Sequence, residues 1–297
     1  MRIVCAGAAG GIGRRAVRRF LAGGHEVLAL DRDADGLGAL RAAVDPDGAL
    51  ETITVDLTDA DRAAATVEGV DADAVVSCVG WYALGAVEDC SPDRLRDHLE
   101  ANLVAPHAVI QPLLPTLRSR SGRVVLVGSM AGSVPLPFHG GYSAAKAGLD
   151  AYATTLRREL RAHDVDVVLI EPGPTRTGFN ERAASALRET IGTAGDDSEA
   201  GTTVEGERGP NRSDGSPYAD AYRAFESYTP ESVPPETVTD RVVTATTTRR
   251  PKARYRIGAR ARLLPRLGAV LPTGTFDRLV RAGMPDGRLG RWIDRRR

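Results

Sequence analysis

Lysine is nearly absent from this chain. Only Lys146 and Lys252 stand among 39 basic residues; the others are arginine. Where a positive charge alone suffices, the composition uses arginine, so a lysine suggests work that a rigid, always-charged fork cannot do. Cysteine is scarce as well. Cys5, Cys78 and Cys90 contain no Cys-x-x-Cys pair and, with the five histidines, no metal-ligand pattern. Such usage fits a reducing cytoplasm, with the thiols as small apolar filler. The N-terminus lacks a charged segment followed by an unbroken apolar stretch, so no signal peptide is expected. No apolar run approaches the roughly 20 residues that cross a bilayer. Aromatics make up 5% of the chain, and no aromatic platform or recognised module points to nucleic acid.

Net charge is also missing, but its zero hides an asymmetry. From Arg249 onward there are 15 basic and 3 acidic residues; the rest of the chain holds 24 basic and 36 acidic. An acidic body carries a basic tail, free to fold onto the chain itself, a partner subunit or an anionic surface.

What is present is a regular alternation. Short apolar runs at 2–6, 26–30, 52–55, 74–79, 123–127 and 165–170 read as strands. Helical segments follow them at 14–21, 34–43, 59–67, 93–117 and 142–162, the fourth kinked or broken by Pro106, Pro112 and Pro115. This alternation predicts an α/β fold: a Rossmann-type doubly wound parallel sheet with right-handed crossovers. Further helical and strand patterns at 234–247 and 254–257 suggest one catalytic domain over 1–258 and a basic extension over 259–297. Residues 192–217 are rich in Gly, Ser, Asp and Glu and read as a surface loop or a lid.

Between the first strand and helix lies Gly7-Ala8-Ala9-Gly10-Gly11-Ile12-Gly13. Glycine lets backbone N–H groups approach a pyrophosphate, and a helix N-terminus favours negative charge. Asp31, 24 residues beyond Gly7, ends the second strand, where a carboxylate accepts hydrogen bonds from an adenosine ribose. It would repel a 2′-phosphate, which favours NAD; the adjacent Arg32 could embrace one, which leaves NADP open.

Tyr142 and Lys146 are four residues apart, on one face if the segment is helical. An ammonium beside a phenol favours phenolate and lowers its pKa, giving a general acid/base for a carbonyl or an alcohol. The plainer alternative is a surface lysine one turn from a half-buried tyrosine.

In order and spacing these motifs resemble the short-chain dehydrogenase/reductase family. Gly7-x-x-x-Gly11-x-Gly13 resembles its cofactor fingerprint and Tyr142-x-x-x-Lys146 its catalytic pair. Ser129, 13 residues before Tyr142, matches the family serine, and Asn102 stands where the family's helix asparagine is expected. Asp56-Leu57 resembles the adenine-contacting pair, and Pro172-Gly173-x-x-x-Thr177 the segment that contacts the nicotinamide carboxamide. Where the family commonly shows Asn-Asn-Ala-Gly, this chain has Ser77-Cys78-Val79-Gly80; Gly80 keeps the close approach to ribose, while the bracing amides are missing.

The resemblance implies hydride transfer between NAD or NADP and a secondary alcohol or ketone of an apolar substrate: steroid- or retinol-like, or else ketoacyl-like. It gives Tyr142 the proton, Lys146 the nicotinamide ribose, Ser129 the substrate oxygen, and Asn102 a water that relays protons to Lys146. It also implies self-association through the long helices. A competing reading is a dinucleotide-binding sensor or scaffold without turnover. Pro135-Leu136-Pro137-Phe138, Trp81, Tyr82 and His139 are candidates for the mouth of the site. The tail either packs its leucines beside the cleft or presents a basic amphipathic surface to anionic membranes; packing is the favoured expectation.

Overall fold

The computed structural model describes residues 1–43, 49–176, 217–226 and 232–284. Seven strands form one sheet: β1 Arg2–Ala6, β2 Glu26–Asp31, β3 Leu50–Thr54, β4 Ala74–Ser77, β5 Arg123–Val127, β6 Asp166–Pro172 and β7 Arg254–Ile257. Their order is β3-β2-β1-β4-β5-β6-β7, and every neighbouring pair is parallel. This is the doubly wound sheet expected from the alternation. Strands β4 and β5 read as unbroken apolar runs because helices cover both faces.

One face is covered by α3 (Ala60–Val67), α5 (Ala105–Ser119) and α7 (Gly140–Leu160), which bury Val67, Val109, Leu113, Leu149 and Leu156. The other is covered by α1 (Gly13–Ala22), α2 (Ala34–Ala42) and a helix from Pro235 to Thr247, which bury Val17, Phe20, Leu37, Leu40 and Val242. Side-chain caps set several starts: Asp33 accepts from Gly36 N, Asp59 from Arg62 N and Ser91 from Arg94 N.

The long helix expected at 93–117 is in fact two helices. A helix α4 (Pro92–Leu99) gives way to a π-helical turn, Glu100–Val104, before α5 begins. Pro106 sits in the first turn of α5, where no helical N–H is needed, and Pro112 and Pro115 lie inside α5 without ending it. The irregular turn carries Asn102, and such turns cluster at functional sites.

The extension from 259 contains two helices, Ala259–Val270 and Thr273–Ala282, joined through Leu271 and Pro272. Thr177 and residues 192–216 of the acidic insert lie outside the described residues. Immediately after them a short helix, Ala219–Glu226, packs over the C-terminal edge of the sheet. That edge is where β1, β2, β4, β5 and β6 deliver the candidate residues, around the β1/β4 switch point at which sheets of this kind hold ligands.

Candidate active site

The glycine loop is shaped by close backbone contact. Gly7 has φ +76°, and a Cβ there would lie 2.8 Å from the Cys78 carbonyl carbon. A Cβ on Gly13 would come within 2.0 Å of the Gly7 oxygen. No side chain fits at either place, so the loop lies flat against β4 and leads into the N-terminus of α1. Asp31 fastens it: Oδ2 accepts from Ala9 N at 2.9 Å, and Oδ1 accepts from Asp33 N at 3.1 Å. Asp56 accepts from Thr58 N and Thr58 Oγ1, and these bonds hold its carboxyl below the usual carboxylate range. Gly7, Gly11, Ile12, Gly13, Asp31, Arg32, Asp56, Leu57, Gly80, Pro172 and Gly173 all line one cavity.

Ser129, Tyr142 and Lys146 line that same cavity. Ser129 ends β5's loop as the cap of a single helical turn, Met130–Ser133, its Oγ accepting from Ala131 N at 3.1 Å. Its hydroxyl also hydrogen-bonds the Tyr142 phenol, a contact that favours phenolate. Lys146, one turn along α7 from Tyr142, donates from Nζ to the Val127 carbonyl at 3.1 Å. Its Nζ lies 5.9 Å from the centre of the Tyr142 ring.

The electrostatics differ from the sequence expectation of a phenol made acidic by its neighbour. Burial pushes Tyr142 up to about 12, offset only in part by Ser129. Burial also brings Lys146 down to about 8. The reason is desolvation: both groups sit in an apolar setting that disfavours their charged forms more than the pair assists them. The Tyr142 phenol is therefore neutral at ordinary pH.

Asn102 is completely buried, and its carboxamide is fully engaged with protein backbone. Nδ2 donates to the carbonyls of Trp81 (2.7 Å) and His98 (2.9 Å), and Oδ1 accepts from Trp81 N at 3.3 Å. The side chain therefore clamps the segment after β4. His98 completes the clamp. Its Nε2 accepts from Ala83 N at 3.2 Å, so Nδ1 carries the proton and donates to Arg94 O at 2.8 Å. These two side chains brace the segment just beyond Gly80.

Just beyond the clamp, Tyr82 lies against the Tyr142 ring, with ring centres 4.9 Å apart. His139 stacks on the other side of Tyr82 at 5.8 Å. Phe138 has φ +64°, a strained value for a residue with a side chain. It meets Tyr218, Tyr222 and Phe225 edge-on at 5.7, 5.9 and 5.2 Å. Tyr222 pins the short helix in place: its hydroxyl donates to Asp89 and accepts from Ala86 N at 2.9 Å. Met284 of the extension packs with these aromatics, and Leu264, Leu279 and Val280 of the extension also line the cavity. The cavity measures about 1080 Å³. That volume lies at the upper end of the range for ligand sites, about 300–1,000 Å³.

Behind the site, Glu171 on β6 is 1% exposed and bridges Arg254 (2.9 Å), Arg256 (3.0 Å) and Ser133 Oγ (2.5 Å). Arg254 also pairs with Asp150 of α7. The network ties β6, β7, the Ser129 turn and α7 into one support. Sequence reasoning missed Glu171, His98, Phe225 and Met284. A usable signal existed for one of them: Tyr218, Tyr222 and Phe225 recur at i, i+4 and i+7 in a chain poor in aromatics.

Comparison with known proteins identifies the family. The family model for short chain dehydrogenase matches residues 2–188. A probable short-chain type dehydrogenase/reductase of Helicobacter pylori is 29% identical over 288 residues, 94% of this chain and 96% of that protein. Human 17-beta-hydroxysteroid dehydrogenase type 1 is 34% identical over 157 residues, 52% of this chain and 48% of its own. The crystal structure of a short chain dehydrogenase/reductase family oxidoreductase from Burkholderia thailandensis superposes with a TM-score of 0.63 at 29% identity, over 83% of this chain and 85% of that one. The chain belongs to the short-chain dehydrogenase/reductase family of oxidoreductases.

Proposed function

We propose that this enzyme oxidises a secondary alcohol, or reduces the corresponding ketone, on an apolar substrate, with NAD as the preferred cofactor and NADP as the alternative. The observation that carries the reading is the Ser129–Tyr142 hydrogen bond, one helical turn from a buried Lys146, in the same cavity as the glycine loop. A bound nicotinamide supplies the hydride chemistry. The residues fit such a group. Gly7 and Gly13 leave backbone where a side chain would block it, and Asp31 faces the cavity with carboxylate lone pairs for ribose hydroxyls. The carboxylate supports NAD; Arg32, lining the same cavity, supports the phosphorylated cofactor.

The chain's own groups then handle the proton. In reduction, Tyr142 donates its phenolic proton to the oxygen that gains charge, and Ser129 donates a hydrogen bond to the same oxygen. Lys146, its Nζ 5.9 Å from the Tyr142 ring centre, would hold a bound nicotinamide ribose and place positive charge near the phenol. In oxidation the proton passes the other way. The aromatic and aliphatic walls support a bulky apolar substrate, and the similarity to the human steroid dehydrogenase supports a steroid-like one. The cysteine usage supports a cytoplasmic site of action, and the long helices α5 and α7 support a homo-oligomer.

The deciding test is Tyr142→Phe, assayed against alcohols, ketones, steroids and acyl thioesters by absorbance of reduced nicotinamide. Turnover is expected to fall about 10²–10⁴-fold, with the cofactor dissociation constant nearly unchanged. Wild-type silence across the whole panel, with cofactor still bound, would instead support a sensor without turnover.

A further inference from the structure

We propose that the helical hairpin at 259–282 docks on an anionic lipid bilayer. The two helices have distinct faces. Ala261 is buried and Leu264 and Val280 line the cavity, whereas Arg262, Leu263, Arg266, Ala269 and Val270 are exposed. The exposed set recurs at i, i+1, i+4, i+7 and i+8, one stripe of a helix. Leu263 is 54% exposed, Val270 76% and Leu279 42%; these are three of the six large apolar side chains so exposed among the described residues. Leu279 also lines the cavity, so the outward surface and the substrate wall are the same element.

Charge identifies the partner. Between 259 and 284 there are five arginines and one acid, Asp277. Among the described residues no carboxylate pairs with Arg262, Arg266 or Arg278. Aliphatic side chains interleaved with arginine match the boundary between acyl chains and anionic headgroups. The rest of the molecule favours the same pose. The chain before Arg249 carries 36 acidic against 24 basic residues, so an anionic surface repels the body and attracts the extension. Docked this way, Leu279, which both lines the cavity and reaches the surface, borders the phase in which an apolar substrate dissolves. Among the described residues no helix is long and apolar enough to cross a membrane, so the contact proposed is peripheral.

The test uses the full chain and sediments it with vesicles of phosphatidylcholine alone or with phosphatidylglycerol. Binding is expected only to the mixed vesicles, and high salt should weaken it. Arg266→Gln with Arg278→Gln should weaken it roughly 25-fold, at about fivefold per arginine. Leu263→Ser with Val270→Ser should weaken it at low salt too. None of these four residues lines the cavity. Dinucleotide binding, measured on each variant, reports that it is folded. No binding, or binding equal in wild type and variants, overturns the proposal. So does self-association that Leu263→Ser abolishes while vesicles are ignored, because the face would then belong to a second copy. The readout needs no turnover, so it stands or falls separately from the proposed reaction.

Discussion

The two sides of the cavity are built differently. The cofactor side is made of backbone. Gly7 lies against the backbone of Cys78, Gly13 against that of Gly7, and Asp31 holds a loop N–H. The substrate side is made of side chains drawn from far apart: Tyr82, Phe138, Tyr222, Phe225 and Met284. A backbone contact tolerates one residue type. A packed wall tolerates many, provided volume and polarity are kept. One side should therefore fail abruptly when changed, and the other by degrees.

The largest break should come at Gly13→Ala. Its Cβ would sit 2.0 Å from the Gly7 oxygen, and that neighbour is backbone, unable to rotate away. The loop must move, at a cost of about 3 kcal/mol. Dinucleotide affinity, followed by titration, is expected to drop about 100-fold. Phe225→Ala is the matched change on the other side. It should raise KM for an apolar substrate about tenfold, from roughly 1.5 kcal/mol of lost burial, and leave cofactor affinity alone. Equal damage to cofactor binding by both variants would remove the distinction.

Lys146 sits where the two sides meet, and its burial has a stability cost with a defined pH window. Its pKa is 10.5 when exposed and about 8 in the fold. Below pH 8 both states carry the proton, and the fold bears the full penalty of a buried ammonium. Between 8 and 10.5 the unfolded chain keeps a proton that the folded chain has released, so stability rises with pH. Lys146→Met removes the penalty. The variant should be inactive yet more stable at pH 7, by about 3 kcal/mol at most. The gap should close as pH approaches 10.5, read from denaturant melts at several pH values. Tyr142 runs the opposite way, raised from 10 to about 12, and loses stability only above pH 10. A gap that stays constant from pH 7 to 10 would show that Lys146 is not held near 8.

The same division explains what was legible in the sequence. The strands could be placed because their burial on two faces writes continuous apolar runs. The glycine loop, Asp31 and the Tyr142–Lys146 spacing could be placed because local geometry restricts residue type. The π-helical turn at Glu100–Val104 left no such trace; prolines drew attention to 106–115, whereas the irregularity lies at Asn102. The roles of Asn102 and His98 were hidden because their partners are backbone groups of Trp81 and Ala83, whose identity is free. Burial was invisible too, so the lysine's effect on the phenol was expected and the opposing desolvation was not. The double character of the extension, part cavity wall and part exposed stripe, required knowing which face of each helix turns inward.

The smallest expected effect tests whether the short helix Ala219–Glu226 is held in place by a polar pin. Tyr222 is buried, and its hydroxyl joins Asp89 and Ala86 N across 133 residues of chain. Tyr222→Phe keeps the ring and its edge-on contact with Phe138 while deleting both bonds. A bond to a charged acceptor contributes about 1.5–3 kcal/mol. Asp89 is only half-buried, so water replaces part of that, leaving a local loss of about 1 kcal/mol. The helix should loosen without unfolding. KM for a bulky apolar substrate is expected to rise about fivefold, which matches that energy. Cofactor affinity and turnover of a small alcohol that does not reach the wall should stay unchanged. If the small alcohol suffers equally, the aromatic wall supports Tyr142 itself through Phe138 and Tyr82, and the two sides of the cavity are mechanically one.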